Sequence, residues 1–343
     1  MLQNRENSTE VMKKRILTGD RPTGKLHLGH FVGSIANRVK LQNTYEEYVL
    51  IADVQALTTN FDYPEKLTHD LREIAMDNLA CGLDPQVATI CVQSKMPEIF
   101  ELTTYFSMFT TVSSLRRNPT IKSEIEQLGM KDNIMYGFLG YPISQAADIT
   151  IFKAHLVPVG EDQMPIIEAT REIVRRFNRL YKKVLIEPEG LVGKVGRLVG
   201  TDGQMKMSKS LGNVIYLSDS AKAVEQKVSQ MFTDPQKIRL NDKGHPDRCP
   251  VYLYYLTFHA DKTETYQIKK DCLSGKRGCV ECKKDLSAAL NKFLNPLREK
   301  RREFEKKLSL VDDILISGTK KARIVTKQTI EEVREAMKIN YFK

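Results

Sequence analysis

The sequence predicts an α/β fold with a parallel sheet, followed by an all-helical unit. Three observations carry that expectation. Short apolar runs alternate with helical patterns through the first two thirds of the chain, which is the order that yields parallel strands with helices on both faces. From about Leu217 onward only helical patterns remain. A chain of 343 residues is long for one domain and long enough to bury a sizeable core, so two domains are expected.

Residues 1–14 form a polar N-terminal extension without the apolar centre of a secretory signal. "RILTG", from Arg15, and "EYVLIAD" read as buried strands, and "EKLTHDLREIAMDNLACGLDP" reads as a helix stopped by a glycine and a proline. "ATICVQS" is a further strand, and "HLVPVGEDQ" is a strand running into a polar loop. The sheet unit is expected over 15–216. In such folds ligands sit at the carboxyl ends of the strands, where the loops Gly19–Gly24 and Gly160–Gln163 fall. Over 217–343, "DLSAALNKFLNPLREKRREFEKKL" is strongly amphipathic. Thr329 and Glu332 fit a capping box ahead of Ile330, Val333 and Met337, which share one helical face. There is no repeat and no long linker.

Hydrophobic residues make up 41% and charged residues 28%, as in ordinary globular proteins. No apolar run approaches the ~18 residues of a membrane helix. A cytoplasmic protein with no membrane partner is expected. The net charge of +10 suggests a polyanionic partner. Its distribution says more: between Lys262 and Lys307 there are 14 Lys or Arg against 7 Asp or Glu. The helical unit is therefore basic, as a surface facing nucleic acid would be.

"LHLGH" follows the first strand and its glycine-rich loop. On a helix His27 and His30, three apart, share a face, adding imidazole donors to the free backbone N–H groups of a first turn. That suits an anion. Gly29 leaves room for a base or phosphate to approach the backbone. A metal reading needs a third ligand, and none is visible nearby. The second piece is "QMKMSKSLGN": Lys206 and Lys209, with Ser208 and Ser210, make a short basic loop after the glycine-rich "VGRLVGTDG". Two ammonium groups on such a loop can meet a triphosphate on arrival and release pyrophosphate afterwards.

Together these motifs make the chain resemble the class I aminoacyl-tRNA synthetases. "HLGH" stands for the family's His-Ile-Gly-His signature, and "KMSKS" matches its second signature without change. The resemblance runs from Arg15 to "MKINYF" and is nearest to the bacterial enzymes for tryptophan. It implies a Rossmann-type catalytic domain with a helical insertion near 97–140, then an all-α anticodon-binding domain, in a homodimer. It also implies ATP with Mg2+, L-tryptophan and tRNA(Trp) as reactants and partners. His27, His30, Lys206 and Lys209 would be catalytic. Arg21, Pro22, Thr23, Gly29, His30, Gly160, Glu161, Asp162, Leu198, the loop Lys206, Met207, Ser208, Lys209 and Ser210, and Lys122 would contact ATP. The expected first step, attack of an amino-acid carboxylate on the α-phosphate, needs no general base, because an α-carboxyl with a pKa of ~3.5 is already ionised. No serine–histidine–aspartate set or carboxylate pair stands out, and none is required.

Tyrosine-specific relatives clasp the phenol hydroxyl with a tyrosine in the first strand and an aspartate in Gln-Ala-Tyr-Asp. Here the strand position is Leu17 and the later stretch reads "QAADI". An indole N–H is only a donor, so the one acceptor Asp148 suffices and the rest of the pocket is free to be apolar. Leu17 and Ala147 suit a bicyclic ring, which favours tryptophan. By the resemblance, Tyr141 and Gln163 would hold the ammonium and carboxylate, and Gln145 stands where many relatives place a methionine against the indole. A tyrosine-specific enzyme, or a synthetase-like protein without catalysis, is the competing reading.

Cys81 and Cys91 lie in apolar contexts and read as core. Cys249, Cys272, Cys279 and Cys282 form a C-x22-C-x6-C-x2-C pattern, which in a cytoplasmic protein argues for a metal over disulfides. Four thiolates fit zinc or iron–sulfur. Some tryptophan-specific relatives hold a 4Fe-4S cluster with this spacing, so the resemblance implies a cluster, with Zn2+ as the alternative.

Overall fold

The computed structural model describes residues 13–130, 133–192, 198–203 and 207–341. The strands are β1 Arg15–Asp20, β2 Glu46–Ile51, β3 Thr89–Val92, β4 Leu156–Val159 and β5 Glu189–Val192. They form a parallel sheet in the order β3-β2-β1-β4-β5, with Arg15 opposite Glu46 and Asp20 opposite Ile51. This is the expected α/β architecture of Rossmann type. β5 escapes the sequence reading. "EGLV" carries a glycine just after Pro188, which looks like a loop; a Cβ at Gly190 would lie 2.5 Å from the Met164 sulfur, so a larger residue would displace that side chain.

Side-chain alternation along β2 divides the core. Tyr48 and Leu50 face one apolar cluster with Leu17, Cys91 and the helix Tyr136–Ile151. Val49 and Ile51 face the other, with Leu28, Ile74 and Ile90. Because both faces are covered there, the centres of β2 and β3, Tyr48–Ile51 and Ile90–Val92, are apolar runs. Leu286, Leu290 and Leu294 of the helix Cys279–Glu305, and Val311 and Leu315 of the helix Leu308–Met337, belong to that second cluster.

The C-terminal helix Leu308–Met337 is unbroken, so the expected capping box at Thr329 and Glu332 is not there. Thr329 is buried in mid-helix, and the apolar face of Ile330 and Val333 continues back to Val311 and Leu315. Packing extends the helix past a local start signal. The same helix lies along the outer side of β3. The Thr319 hydroxyl accepts from the Val92 N–H (3.1 Å), and a Cβ on Gly318 would stand 2.0 Å from the Ile90 carbonyl oxygen. Among the described residues no helix is long and apolar enough to cross a membrane.

Candidate functional site

β1 has β2 on one side and β4 on the other, so the strand order reverses there and a crevice opens at the carboxyl ends of β1 and β4. The chain leaves β1 through exposed Arg21, buried Pro22 and exposed Thr23, then turns at Gly24, whose φ of +93° lies in the left-handed region. The Leu26 N–H donates to Asp77 Oδ2 (2.7 Å). A helical run follows: Leu28–His30, a π stretch Phe31–Ile35, and Ala36–Leu41. His27 caps its start in extended conformation and donates its N–H to His30 Nδ1 (3.2 Å), with the two rings 3.8 Å apart. The two histidines thus meet, but from the cap and first turn rather than from one helical face. A Cβ on Gly29 would lie 2.9 Å from the His27 ring, so only glycine lets that ring fold over the turn.

Arg38, in the same run, fastens it to the end of β1. Its guanidinium donates to both Asp20 oxygens, to Asn78 Oδ1 (2.9 Å) and to Ser34 Oγ (3.1 Å). Burial alone would raise the Asp20 pKa, but Arg38, with His30 and Asn78 behind it, holds that carboxyl below the usual range.

The second basic signature closes on the first. Lys206 and the Ser210 side chain lie outside the described residues. Met207 is buried; its N–H donates to the Leu198 carbonyl (3.3 Å), and its sulfur accepts from the Gly29 N–H (3.4 Å). Ser208 donates its N–H to Asn213 Oδ1 (2.7 Å). Lys209 Nζ donates to the carbonyls of Thr23 (3.0 Å) and Gly24 (2.8 Å). Burial lowers the Lys209 pKa, against the pull of Asp70, Asp77 and Asp20. The acceptors of that ammonium are neutral carbonyls, and a phosphate oxygen is a stronger one.

Across the crevice, Gly160 ends β4 and Asp162 Oδ1 lies where its Cβ would be, 2.6 Å away. Glu161 is exposed and Gln163 half-buried. The Thr120 hydroxyl donates to the Asp162 carbonyl (2.6 Å), which fixes the helix Pro119–Gln127 and with it exposed Lys122 beside the loop.

Asp148 is 3% exposed on the helix Tyr136–Ile151. Both its oxygens accept from Gln93 Nε2, at 2.8 and 3.0 Å. Burial pushes its pKa up to about 7 against the Gln93 hydrogen bond, and the charge of Asp53 adds to the rise. Leu17, Tyr141 and Ala147 belong to one apolar cluster around it, while Gln145 is half-buried. Burial, then nearby Glu124, raises the Tyr141 pKa. Gln93 was not singled out by sequence. Its signal is a polar residue directly after the buried strand β3, the end at which α/β sheets hold ligands.

Cys249, Cys272, Cys279 and Cys282 line one cavity with Lys237 and Arg277, and Arg277 Nε donates to Cys282 Sγ (3.1 Å). Among the described residues, however, no group of three or more His, Cys, Asp or Glu is placed to hold a metal ion. Burial raises the Cys282 thiol to about 11 despite Arg277, and raises Cys249 and Cys272 as well. The four thiols have the donor chemistry of a thiolate-bound group but, among the described residues, not the placement of one. Cys91 is buried in the core and Cys81 half-buried against it, as expected.

A family model for tRNA synthetases class I (W and Y) matches residues 10–295. A tryptophan–tRNA ligase of Clostridium longisporum is 51% identical over 337 residues, covering 97% of this chain and 99% of that one. A Streptococcus mutans tryptophan–tRNA ligase is 50% identical, covering 97% and 100%. The structure of a Campylobacter jejuni tryptophanyl-tRNA synthetase complexed with ADP and tryptophan matches with a TM-score of 0.84 at 31% identity, over 94% of this chain and 99% of that one.

Proposed function

The chain belongs to the class I tRNA synthetases of the tryptophan and tyrosine group, and from that premise we propose how its residues divide the work. The activity is that of a tryptophan–tRNA ligase: L-tryptophan and ATP give tryptophanyl-adenylate and pyrophosphate, and the tryptophanyl group then passes to tRNA(Trp). The observation that carries the division is the closing of the Met207–Lys209 segment on the loop Thr23–Gly29 at the switch point of the sheet.

In the first step a tryptophan carboxylate oxygen attacks the α-phosphorus as the bond to the bridging oxygen of pyrophosphate breaks. No proton moves, so the protein's task is to align the reactants and stabilise charge. His27 and His30 offer ring N–H donors at the helix start, where the helix dipole also favours an anion. Lys209 leaves the carbonyls of Thr23 and Gly24 for the leaving pyrophosphate, with Lys206 and Lys122 on the outer phosphates. Arg21, Gly29, Gly160 and Leu198 border the nucleotide, and Mg2+ supplies charge neutralisation on the phosphates when bound. Asp148 accepts the indole N–H, Leu17 packs on the ring, and Tyr141 and Gln163 hold the amino-acid end.

The remaining proposals concern assembly. The four cysteines take up a metal group, 4Fe-4S or alternatively Zn2+, which orders the basic surface toward tRNA. Support comes from the shared cavity and from the soft, chemically matched donors. The protein works in the cytoplasm as a homodimer, a reading supported by exposed Met108, Val112, Leu128 and Tyr136 on the helical segment near 97–140.

Exchange of labelled pyrophosphate into ATP, run with each amino acid separately, tests the assignment. Tryptophan alone is expected to support it well. Equal support by tyrosine would overturn the reading.

A further inference from the structure

Gln93 is wholly buried in the turn that follows β3. Its side-chain oxygen accepts the Gln55 N–H (3.1 Å), so its amide is oriented with the NH2 group toward Asp148. That group stands 2.8 and 3.0 Å from the two carboxylate oxygens, bridging them almost evenly. The turn itself is held, because the Ser94 N–H donates to Asp53 Oδ1 (2.9 Å). Gln93 is therefore fixed at three points before any ligand arrives.

We propose that Gln93 is a positioning residue for amino-acid selection, holding Asp148 as a charged carboxylate with its free lone pairs turned to the indole N–H. The proposal rests on Asp148 being the indole acceptor and deepens that reading. An amide bonded this way stabilises only the ionised acid, because it is purely a donor to both oxygens. Without it, a carboxyl in this apolar site would take up a proton and could rotate. A protonated acid offers an O–H where tryptophan brings a second donor. Selection for a donor-only ring then depends on a residue that does not touch the ring.

Few other groups act on Asp148. Asp53, at the start of the helix Asp53–Asn60, opposes its ionisation, and the neutral thiol of Cys91 lies on the neighbouring strand. The helices Pro97–Ser107 and Met164–Leu180 pack on the Asp148 helix with apolar side chains, among them Ile99, Leu102, Ile166 and Ile167. The C-terminal helix adds Ala322 and Ile330. Among the described residues, Gln93 is the group beside the carboxylate that favours its charge.

The chain contains no tryptophan, so fluorescence of the amino-acid ligand itself, excited at its red edge, reports binding directly. Affinity would be measured from pH 6 to 9 for the full-length protein, Gln93→Leu and Gln93→Glu, with tryptophan and with 1-methyltryptophan, which lacks the indole N–H. For Gln93→Leu the pH midpoint of tryptophan affinity should rise by about one unit, with about fivefold weaker binding at pH 7 that recovers near pH 9. Its preference for tryptophan over the methylated ligand should shrink at pH 7. Gln93→Glu should behave oppositely: a carboxyl pair sharing one proton keeps binding near neutral pH and loses it as that proton leaves. An unshifted midpoint in both variants, or a loss equal at every pH, would overturn the proposal. Failure of the unmodified protein to prefer tryptophan over its methylated form would instead overturn the role of Asp148.

Discussion

Arg301 and Asp77 form a buried pair, in which the Arg301 guanidinium donates to one Asp77 oxygen while the other oxygen accepts the Leu26 N–H, one residue before His27. Arg301 also donates to Glu73 Oε2 (2.7 Å). One cation from the C-terminal helices thus anchors the segment that leads into the histidine signature. Burial pushes the Asp77 pKa up to about 6 against the attraction of Arg301. Replacing Arg301 with Leu leaves the buried Asp77 without its cation and Glu73 with only Lys25 and His69, each 3.9 Å away; breaking a buried pair typically costs about 3–5 kcal/mol. A large fall in the urea midpoint is expected; an unchanged midpoint would refute the pairing.

Lys209→Ala should slow adenylate formation by about a hundredfold or more, the scale for removing one group that stabilises developing charge. Tryptophan affinity, read from the ligand's fluorescence, should stay nearly unchanged, because the interaction with pyrophosphate strengthens only in the transition state. Comparable damage to both quantities would make the lysine structural, through its bonds to Thr23 and Gly24.

Glu47 has a relative exposure of 1%, and neither of its oxygens has a hydrogen-bond partner. Burial raises its pKa from 4.5 to about 8, only partly countered by Arg38, which is committed to Asp20. The folded state therefore keeps a proton that the unfolded state releases near pH 4.5, and stability falls as pH rises through that interval, levelling off above about 8. Asp148 and Asp77 titrate lower, so between pH 7 and 8.5 Glu47 dominates this slope. Glu47→Gln should remove roughly 1 kcal/mol of the decline over that interval, from 1.4 kcal/mol per unit. Parallel stability curves for the two proteins would refute the assignment.

Anaerobically purified protein should be brown, absorb broadly near ~400 nm and carry roughly four irons per chain, as a cubane on four thiolates does. Cys282→Ser should then impair tRNA charging far more than pyrophosphate exchange. Colourless protein with one zinc per chain would replace the cluster but keep the structural role. Normal charging by metal-free protein would end the proposal for this site.

Much of the sheet was legible because β2 and β3 carry short apolar runs, Tyr48–Ile51 and Ile90–Val92, between helical patterns. β5 was not, since a strand of four residues with a central glycine has no hydrophobic signature of its own. The loops carrying His27 and Lys209 were legible because "HLGH" and "KMSKS" stand out as motifs in the sequence. Their junction was not, since Met207 against Gly29 joins positions 178 apart. Gln93 escaped notice for a related reason. An amide after a strand is unremarkable until the fold sets it against Asp148, 55 residues away. The capping residues Thr329 and Glu332 show the converse, a local pattern overruled by a longer apolar face.

The contact of Thr319 with Val92 bridges 227 residues. A ribosome adding roughly 5–20 residues per second needs about ten to fifty seconds to make that interval. Throughout it, the nascent chain already holds β3 while the helix that covers its outer margin does not exist. Bare strand margins invite pairing with other chains. Since Gly318 admits no side chain, that margin is closed by one late and sterically exacting fit. The most vulnerable phase in the life of this protein is then its own translation, before the last helix has been made.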